Sequence, residues 1–425
     1  MQRIGMVGFG FCGSMVLAQL VRQATQPCIV YVFDPAMDPR GVAYSTPYAE
    51  HLLNVRASGM SAWPEEPLHF VQWLADAGHA FGPQDFVPRR IYGDYLQQQW
   101  QQTQEEAAAK SIVLKLIPSE AVALEAQGDI LCVRSARGDA VALDTLVLAT
   151  GHVTKPVALP IGMPVLQNPW AEGAVRQVAQ HGGAPLLVGT GLTAVDMLLA
   201  LRAEGYRGTV YAYSRRALWP QPHAAQSSPA TLAAPLHTDS GVLGLLRQLR
   251  KQARDAHDWR SVVDGVRPIT SQLWQALDGR AQQQFLQRLA PFWNIHRHRM
   301  ALQIAAQLQA ERKAGSLVVL RAAELSAHVE TLGMALNCTG PELNLARMEH
   351  AFLRSALAQR MVEPHPTGQG LAADPRGRLW GEAYPRLYAM GGLRTGQLLE
   401  STAVPELRVQ AQTIAEALCA SISSK

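Results

Sequence analysis

Cysteine is scarce and poorly placed for redox work. The 425 residues contain five, Cys12, Cys28, Cys132, Cys338 and Cys419, and no two form a Cys-x-x-Cys pair. That pattern excludes a disulfide scaffold, the dithiol of a disulfide reductase, an iron–sulfur cluster and a four-ligand zinc site, so no metal is expected. No apolar run reaches the ~18 residues that a membrane-spanning helix needs. The chain opens directly on the strand-like Arg3-Ile4-Gly5-Met6-Val7, with no basic, apolar and cleavable leader. A cytoplasmic location is therefore the expectation. Blocks of like charge are also missing. The net charge is only +4, from 38 basic and 34 acidic side chains, so neither nucleic acid nor a membrane surface is an expected partner. What is abundant is apolar residues, at 48% against 17% charged. This excludes a disordered chain and supplies buried cores for two or three domains.

The pattern of elements is α/β. Residues 2–8 read as a buried strand, 12–24 as a helix and 28–33 as a second strand, a β-turn-α-β unit with parallel strands. Residues 35–65 read as loop, 68–77 and 92–109 as helices, and 111–147 as several strands that run into Ala149-Thr150-Gly151. A connector punctuated by Pro156, Pro160, Pro164 and Pro169 leads to a second unit, with a strand at 186–188, a helix at 194–201 and a strand at 209–213. Residues 241–313 read as helical throughout. Val242, Leu245, Leu246 and Leu249 fall at i, i+3, i+4 and i+7 on one helix face. Strands return at 317–320, 334–336 and 387–390, and a helix is expected over 404–421. The expected architecture is two Rossmann-like dinucleotide-binding domains with an inserted all-helical segment. The first domain takes 1–155 and 336–425, the second 160–216 and 316–335, and the insertion 217–315.

Each unit carries a phosphate-binding fingerprint. Gly8-Phe9-Gly10-Phe11-Cys12-Gly13 lies between strand and helix, and Asp34 follows at the end of the next strand. Gly8 permits the tight turn, Gly10 lets backbone approach a pyrophosphate, and Gly13 lets helix and strand pack closely. The helix N-terminus stabilises phosphate charge, and the carboxylate accepts from a ribose hydroxyl. An acid at 34 fits the unphosphorylated ribose of FAD or NAD. The second fingerprint is Gly189-Thr190-Gly191-Leu192-Thr193-Ala194, and Ser214-Arg215-Arg216 stands where the acid would be. Guanidinium groups pair bidentately with phosphate, so this site suits the 2′-phosphate of NADPH.

Two such folds joined by Leu148-Ala149-Thr150-Gly151, with Asn337-Cys338-Thr339-Gly340 as a second junction, resemble the two-dinucleotide-binding-domain flavoproteins. More narrowly, segments including Gly41-Val42-Ala43-Tyr44-Ser45, His51-Leu52-Leu53-Asn54-Val55, His296-Arg297-His298-Arg299 and Glu400-Ser401-Thr402-Ala403-Val404-Pro405 are similar to the YdhS-type FAD/NAD(P)-binding proteins. The resemblance implies FAD in the first fold and NADPH in the second, with Tyr44, Asn54, Val55, Thr150, Gly151, Gly391 and Gly392 at the flavin cofactor. It departs at Gly391-Gly392, where the wider superfamily often has Gly-Asp.

A flavin beside a nicotinamide permits hydride transfer, and without a Cys-x-x-Cys exit dioxygen is the simplest acceptor. The resemblance to flavin-containing and N-hydroxylating monooxygenases implies a flavin hydroperoxide that delivers oxygen to a small-molecule substrate. The alternatives are an NAD(P)H-dependent flavin reductase or dehydrogenase with another acceptor, and a non-catalytic flavoprotein sensor. Residues 217–315 are the expected substrate region. His51, Asn54, His223, His296 and Arg297 are the candidate catalytic side chains. Against that, the tryptophans of 217–315 serve equally as the core of a helical bundle, and the His-Arg run as helix C-terminal cations. Arg89, Arg90 and Tyr92 fit either a pyrophosphate or the surface.

Overall fold

The computed structural model describes residues 1–425 except 160, 161, 227, 322, 323, 384, 424 and 425. In chain order the first stretch runs β1 (Gln2–Val7), α1 (Phe11–Gln23), β2 (Cys28–Phe33), α2 (Gly41–Tyr44), α3 (His69–Asp76), α4 (Arg89–Ala109) and β3 (Val113–Ile117). Next come β4 (Ala121–Gln127), β5 (Ile130–Ser135), β6 (Ala140–Leu143) and β7 (Thr145–Leu148). The middle of the chain holds β8 (Val165–Leu166), α5 (Ala174–Gln180), β9 (Ala184–Val188), α6 (Leu192–Ala203) and β10 (Val210–Tyr213). Six helices follow, α7 (Gly241–Asp255), α8 (Trp259–Val266), α9 (Thr270–Ala276), α10 (Gly279–Gln284), α11 (Ala290–Arg297) and α12 (Leu302–Lys313). The chain ends with β11 (Leu317–Leu320), β12 (Leu332–Asn337), α13 (Ala351–Ala358), β13 (Leu387–Ala389), α14 (Thr395–Leu398) and α15 (Val404–Ser423).

The chain divides into two compact units. One comprises Met1–Ser45, Val55–Val153 and Glu342–Lys425, the other Thr46–Asn54 and Thr154–Pro341. Two points differ from the sequence expectation. Residues 46–54 fall in the second unit although their neighbours on both sides fall in the first, and the helices of 217–315 also fall within the second unit. The expected domain start at 160 and the last two residues of the expected 336–425 segment lie outside the described residues.

In the first unit a parallel sheet has the order β13-β7-β1-β2-β3. The strands β1 and β7 are nearly continuous apolar runs, as strands covered on both faces must be, and Ile4, Met6, Leu146, Val147 and Leu148 are fully buried. Helix α1 is buried from Phe11 through Val21 with the exception of Cys12. It packs against α4 and α15. A separate antiparallel sheet, β4-β5-β6, closes one core of this unit: Leu124, Leu131 and Val133 pack with Phe352 and Leu353 of α13.

The second unit repeats the plan in a parallel sheet of order β11-β10-β9-β12-β8. Its central strand β9 is buried along its whole length. Two of the helices after β10, α8 and α10, start at side-chain caps. Asp258 accepts from the Arg260 N–H at the start of α8, and Asp278 accepts from Ala281 N–H at the start of α10, each satisfying an orphan donor.

In both sheets the central strand has its sequence neighbour on one side and a strand from much later in the chain on the other: β2 and β7 flank β1, and β10 and β12 flank β9. The order of the strands therefore reverses at β1 and at β9. In open α/β sheets ligands bind at the carboxyl end of such a switch point, which is where the two glycine-rich turns sit.

Candidate functional site

The two turns are built alike. Val7 accepts from the Ala149 N–H at 2.8 Å, and Val188 accepts from the Cys338 N–H at 2.9 Å. Gly8 donates to Phe33 O and Gly189 to Tyr213 O. These bonds press the turn against the neighbouring strand end, and glycine is obligatory there for two reasons. Gly8 has φ +98° and Gly189 φ +122°, conformations that an L side chain rarely adopts. A Cβ at Gly8 would lie 2.2 Å from Ala149 O, and one at Gly189 2.4 Å from Cys338 O. The third position packs helix on turn. A Cβ at Gly13 would meet Gly8 O at 2.1 Å, whereas the second unit carries a fully buried Ala194 there.

The second glycines differ. A Cβ at Gly191 would meet nothing within 4 Å, and one at Gly10 would lie 3.3 Å from Gly41 Cα. The space over Gly191 is free for a ligand's phosphates, while the Gly10 turn is approached by a second glycine backbone. Helices α1 and α6 start at these turns with neither a side-chain cap nor an acidic residue in the first turn. Their N-terminal N–H groups and positive dipole ends therefore remain for an anion.

Asp34 does more than the motif implies. Its Oδ2 accepts from the Phe9 N–H at 2.8 Å, and its Oδ1 accepts from Ala36 N–H at 2.8 Å and Met37 N–H at 3.2 Å. A carboxylate offers about four lone-pair sites, so about one remains for a ribose hydroxyl. In the second unit the corresponding place is a hydroxyl relay. Thr190 Oγ1 donates to Leu218 O at 2.6 Å and lies 2.8 Å from Ser214 Oγ, which accepts from Ala217 N–H. This relay pins the loop that carries Arg215 and Arg216, both exposed. Leu192 and Thr193 open α6 beside it.

Around the first turn, Thr150 Oγ1 is buried with no hydrogen-bond partner. Space beyond the Gly151 Cα is open. Gly391 donates its N–H to Gln410 Oε1, and Gly392 lies against the His152 ring. An orphaned hydroxyl at a strand end, two helix N-termini lacking acceptors, and open space over Gly151 and Gly191 fit a dinucleotide at each turn. Tyr44 sits in an aromatic cluster with Tyr92, ring centroids 4.7 Å apart, and with Phe11. Burial raises the Tyr44 and Tyr92 phenols above their ordinary value, so both are neutral hydrogen-bonding groups. The Tyr92 hydroxyl has no partner.

The structure changes the reading of several side chains. His51, expected near a flavin ring, is fully buried in the second unit. Its Nε2 donates to Asp196 O and its Nδ1 accepts from Thr46 Oγ1, both at 2.8 Å. Both ring nitrogens are thus hydrogen-bonded within the second unit, and the ring packs in its interior. Asn54 and Val55 fall on opposite sides of the division between units. The Asn54 carbonyl accepts from His223 Nε2 at 3.0 Å, which makes His223 an anchor for the 46–54 segment. His296 donates from Nδ1 to Phe292 O, one turn back in α11, and its ring lies 5.0 Å from that of Trp259. Arg297 is buried. Trp274, edge-on to Phe285, is core. Sequence reading did not single out His152. The signal for His152 was its place directly after Ala-Thr-Gly. Trp219 and Arg299 read from the sequence either as pocket residues or as bundle core and helix-terminal cation, and the structure adds that each has a buried N–H without an acceptor.

Among the described residues no group of three His, Cys, Asp or Glu is placed to hold a metal, and no helix is long and apolar enough to cross a membrane. All five cysteines are free thiols.

Residues 5–153 match a protein family described as FAD-NAD(P)-binding. No curated protein matches the chain by sequence. Among solved structures, the ornithine hydroxylase of Pseudomonas aeruginosa is similar over 99% of both chains, at 15% identity and a TM-score of 0.62. The ornithine N-hydroxylase of Kutzneria sp. 744, solved with reduced FAD, NADP+ and L-ornithine, is similar over 100% of this chain and 99% of its own, at 13% identity and 0.62. The bacillithiol disulfide reductase of Staphylococcus aureus is similar over 99% of both, at 11% identity and 0.53. At these identities the likeness shows the fold. The chain is a mixed α/β protein that shares the fold of these structures, and its residues 5–153 match the FAD-NAD(P)-binding family model.

Proposed function

We infer that the protein is an FAD-dependent oxidoreductase that takes hydride from NADPH and uses dioxygen to oxygenate a small-molecule substrate. On this reading it is akin to the YdhS-type FAD/NAD(P)-binding proteins. The observation that carries the reading is the pair of like-built turns, one followed by a carboxylate and the other by two arginines. When bound, FAD supplies a two-electron acceptor that can also hand electrons to oxygen. The first unit would hold it: the α1 N-terminus takes the pyrophosphate charge, Asp34 the ribose, and Thr150 Oγ1 receives the hydrogen bond it lacks within the chain. In the second unit the open face of Gly191 and the N–H groups of α6 receive the NADPH pyrophosphate. Arg215 and Arg216, on the loop pinned by Thr190 and Ser214, receive the 2′-phosphate.

The absence of a paired thiol supports an oxygenase over a disulfide reductase. A flavin reductase that serves another acceptor is the second reading, and it rests on the same turns. The test is purification followed by NADPH addition in air and under argon. An oxygenase comes out yellow, is bleached by NADPH without oxygen, and consumes oxygen slowly when no substrate is present. Colourless protein that stays so with excess FAD overturns the whole reading. Yellow protein that NADPH reduces and that then ignores oxygen leaves the reductase. Charge reversal at Arg215 is expected to raise the KM for NADPH about 10- to 100-fold, as the loss of a charged hydrogen bond does, while the KM for NADH stays within about twofold.

A further inference from the structure

A second site lies in the helical part of the second unit. The segment after Trp219 and the segment ending α11 are laced by backbone bonds: Gln221 N–H to Ile295 O, Met300 N–H to Gln221 O and His223 N–H to Met300 O, at 2.8–3.0 Å. That ladder holds the two segments without help from side chains. Yet Arg299 is inserted beside it, with only 3% of its side chain exposed. A buried guanidinium normally has its donors matched, because each unmatched one loses its water without compensation. Here Nη2 donates to Asp264, while Nε and Nη1 have no acceptor. The indole N–H of Trp219, two residues before Gln221 in the same segment, is likewise buried without a partner. Burial lowers the Arg299 pKa, Asp264 raises it, and the nearby Arg297 and Arg260 lower it further. Even so, a guanidinium stays charged at any physiological pH.

The unmatched groups are all donors, and the local field is positive, so what is missing is an oxyanion. Asp264 now occupies one edge of the fork, and its side chain is 36% exposed. It sits between Arg299 and water, in the position an incoming carboxylate would take. The Trp259 ring, with the Arg260 guanidinium 4.6 Å and that of Arg299 5.9 Å from its centroid, offers an aromatic wall for the body of such a ligand.

We propose that Arg299 and Trp219 form a binding site for a carboxylate carried on an apolar or aromatic body, and that Asp264 is an internal stand-in which the ligand displaces. Its use as the substrate's anchor rests on the oxidoreductase reading; the binding itself does not.

The test is calorimetric titration of the purified full-length protein with benzoate and with its neutral counterpart benzamide. Benzoate is expected to bind at least tenfold tighter. Asp264→Asn removes the competing charge while keeping the side chain's shape, and it is expected to tighten benzoate about tenfold and leave benzamide unchanged. Arg299→Gln is expected to abolish the preference. Because Arg299 is buried that variant can misfold, so the Asp264→Asn variant, at a half-buried position, decides. Equal binding of benzoate and benzamide, or an Asp264→Asn variant that binds benzoate no better than the parent, overturns the proposal. The readout needs neither bound flavin nor turnover, so colourless protein that still prefers benzoate refutes the oxidoreductase reading and leaves this one standing.

Discussion

Replacing Gly189 and Gly191 separately with Ala divides what the fold asks of the second turn from what a ligand asks of it. Gly189 has φ +122°, and its new methyl would lie 2.4 Å from Cys338 O. The Cys338 residue cannot move aside freely, since its own N–H is bonded to Val188 O. Backbone strain of this kind costs about 1–3 kcal/mol, and the displaced carbonyl adds to it, so Gly189→Ala is expected to lose about 3 kcal/mol. In a unit of roughly 200 residues that corresponds to a fall in Tm of about 6–12 °C. Gly191 has φ −82° and ψ −171°, ordinary extended backbone, with open space where the methyl would go. Gly191→Ala restricts the unfolded chain only, and it is expected to be neutral or to gain about 0.4–1 kcal/mol. If that open space receives the NADPH pyrophosphate, the same methyl should weaken NADPH at least tenfold, about 1.4 kcal/mol. Thermal unfolding followed by circular dichroism, and an NADPH titration of each variant, give the four numbers. A Gly191→Ala protein that is fully stable and binds NADPH like the parent would refute the placement of the pyrophosphate. A Gly189→Ala protein with an unchanged Tm would refute the argument from turn geometry.

Thr150→Val removes a buried hydroxyl with no partner and keeps the shape. It is expected to leave the flavin-free protein as stable as the parent, or more so by up to about 1 kcal/mol, while lowering the flavin retained on gel filtration. Undiminished flavin content would place that hydroxyl away from the cofactor. His51→Ala deletes a fully buried ring and two hydrogen bonds. A loss of about 2–4 kcal/mol is expected in denaturant unfolding, with an unchanged rate of flavin reduction by NADPH in the folded fraction; a slowed rate at full stability would restore a role in chemistry. Glu311 is held below its ordinary value of 4.5 chiefly by the fork of Arg202, which donates to both its oxygens at 2.8 Å. The unfolded chain therefore binds this proton more readily than the folded one. The pair's contribution is complete above pH 4.5 and is lost as pH falls through 4.5 toward the lower folded value. Glu311→Gln should flatten that acid limb in urea midpoints measured from pH 7 to pH 3.5, and an unaltered limb would show that the pair does not govern it.

The turns were legible because their requirements are local. Gly8 and Gly189 answer a φ and a strand end that the motif itself implies, and α1, α6 and the strands beside them lie within a residue or two of their expected bounds. The segment 46–54 was not legible. Nothing in Tyr48 or His51 announces that their partners are Glu204 and Asp196, about 150 residues away. Without those partners, a loop following a ribose acid reads as belonging to its own domain. The helix α13 and the small antiparallel sheet escaped in detail for the same reason: each lacks a motif, and each buries its apolar face against the other across more than 200 residues. Arg299 shows a different limit. A sequence displays a cation, but only three-dimensional packing shows that two of its donors are left over.

The excursion at 46–54 also determines how the protein can be cut. Cloning residues 154–341 by themselves would yield a body lacking a piece that belongs inside it. The socket of a fully buried imidazole would stand empty, the Asp196 carbonyl would lose its donor, and Glu204 would lose the Tyr48 hydroxyl. A fragment meant to report on this half alone would need that nonapeptide grafted back or supplied in trans, and adding a synthetic 46–54 peptide to the truncated protein should raise its melting temperature.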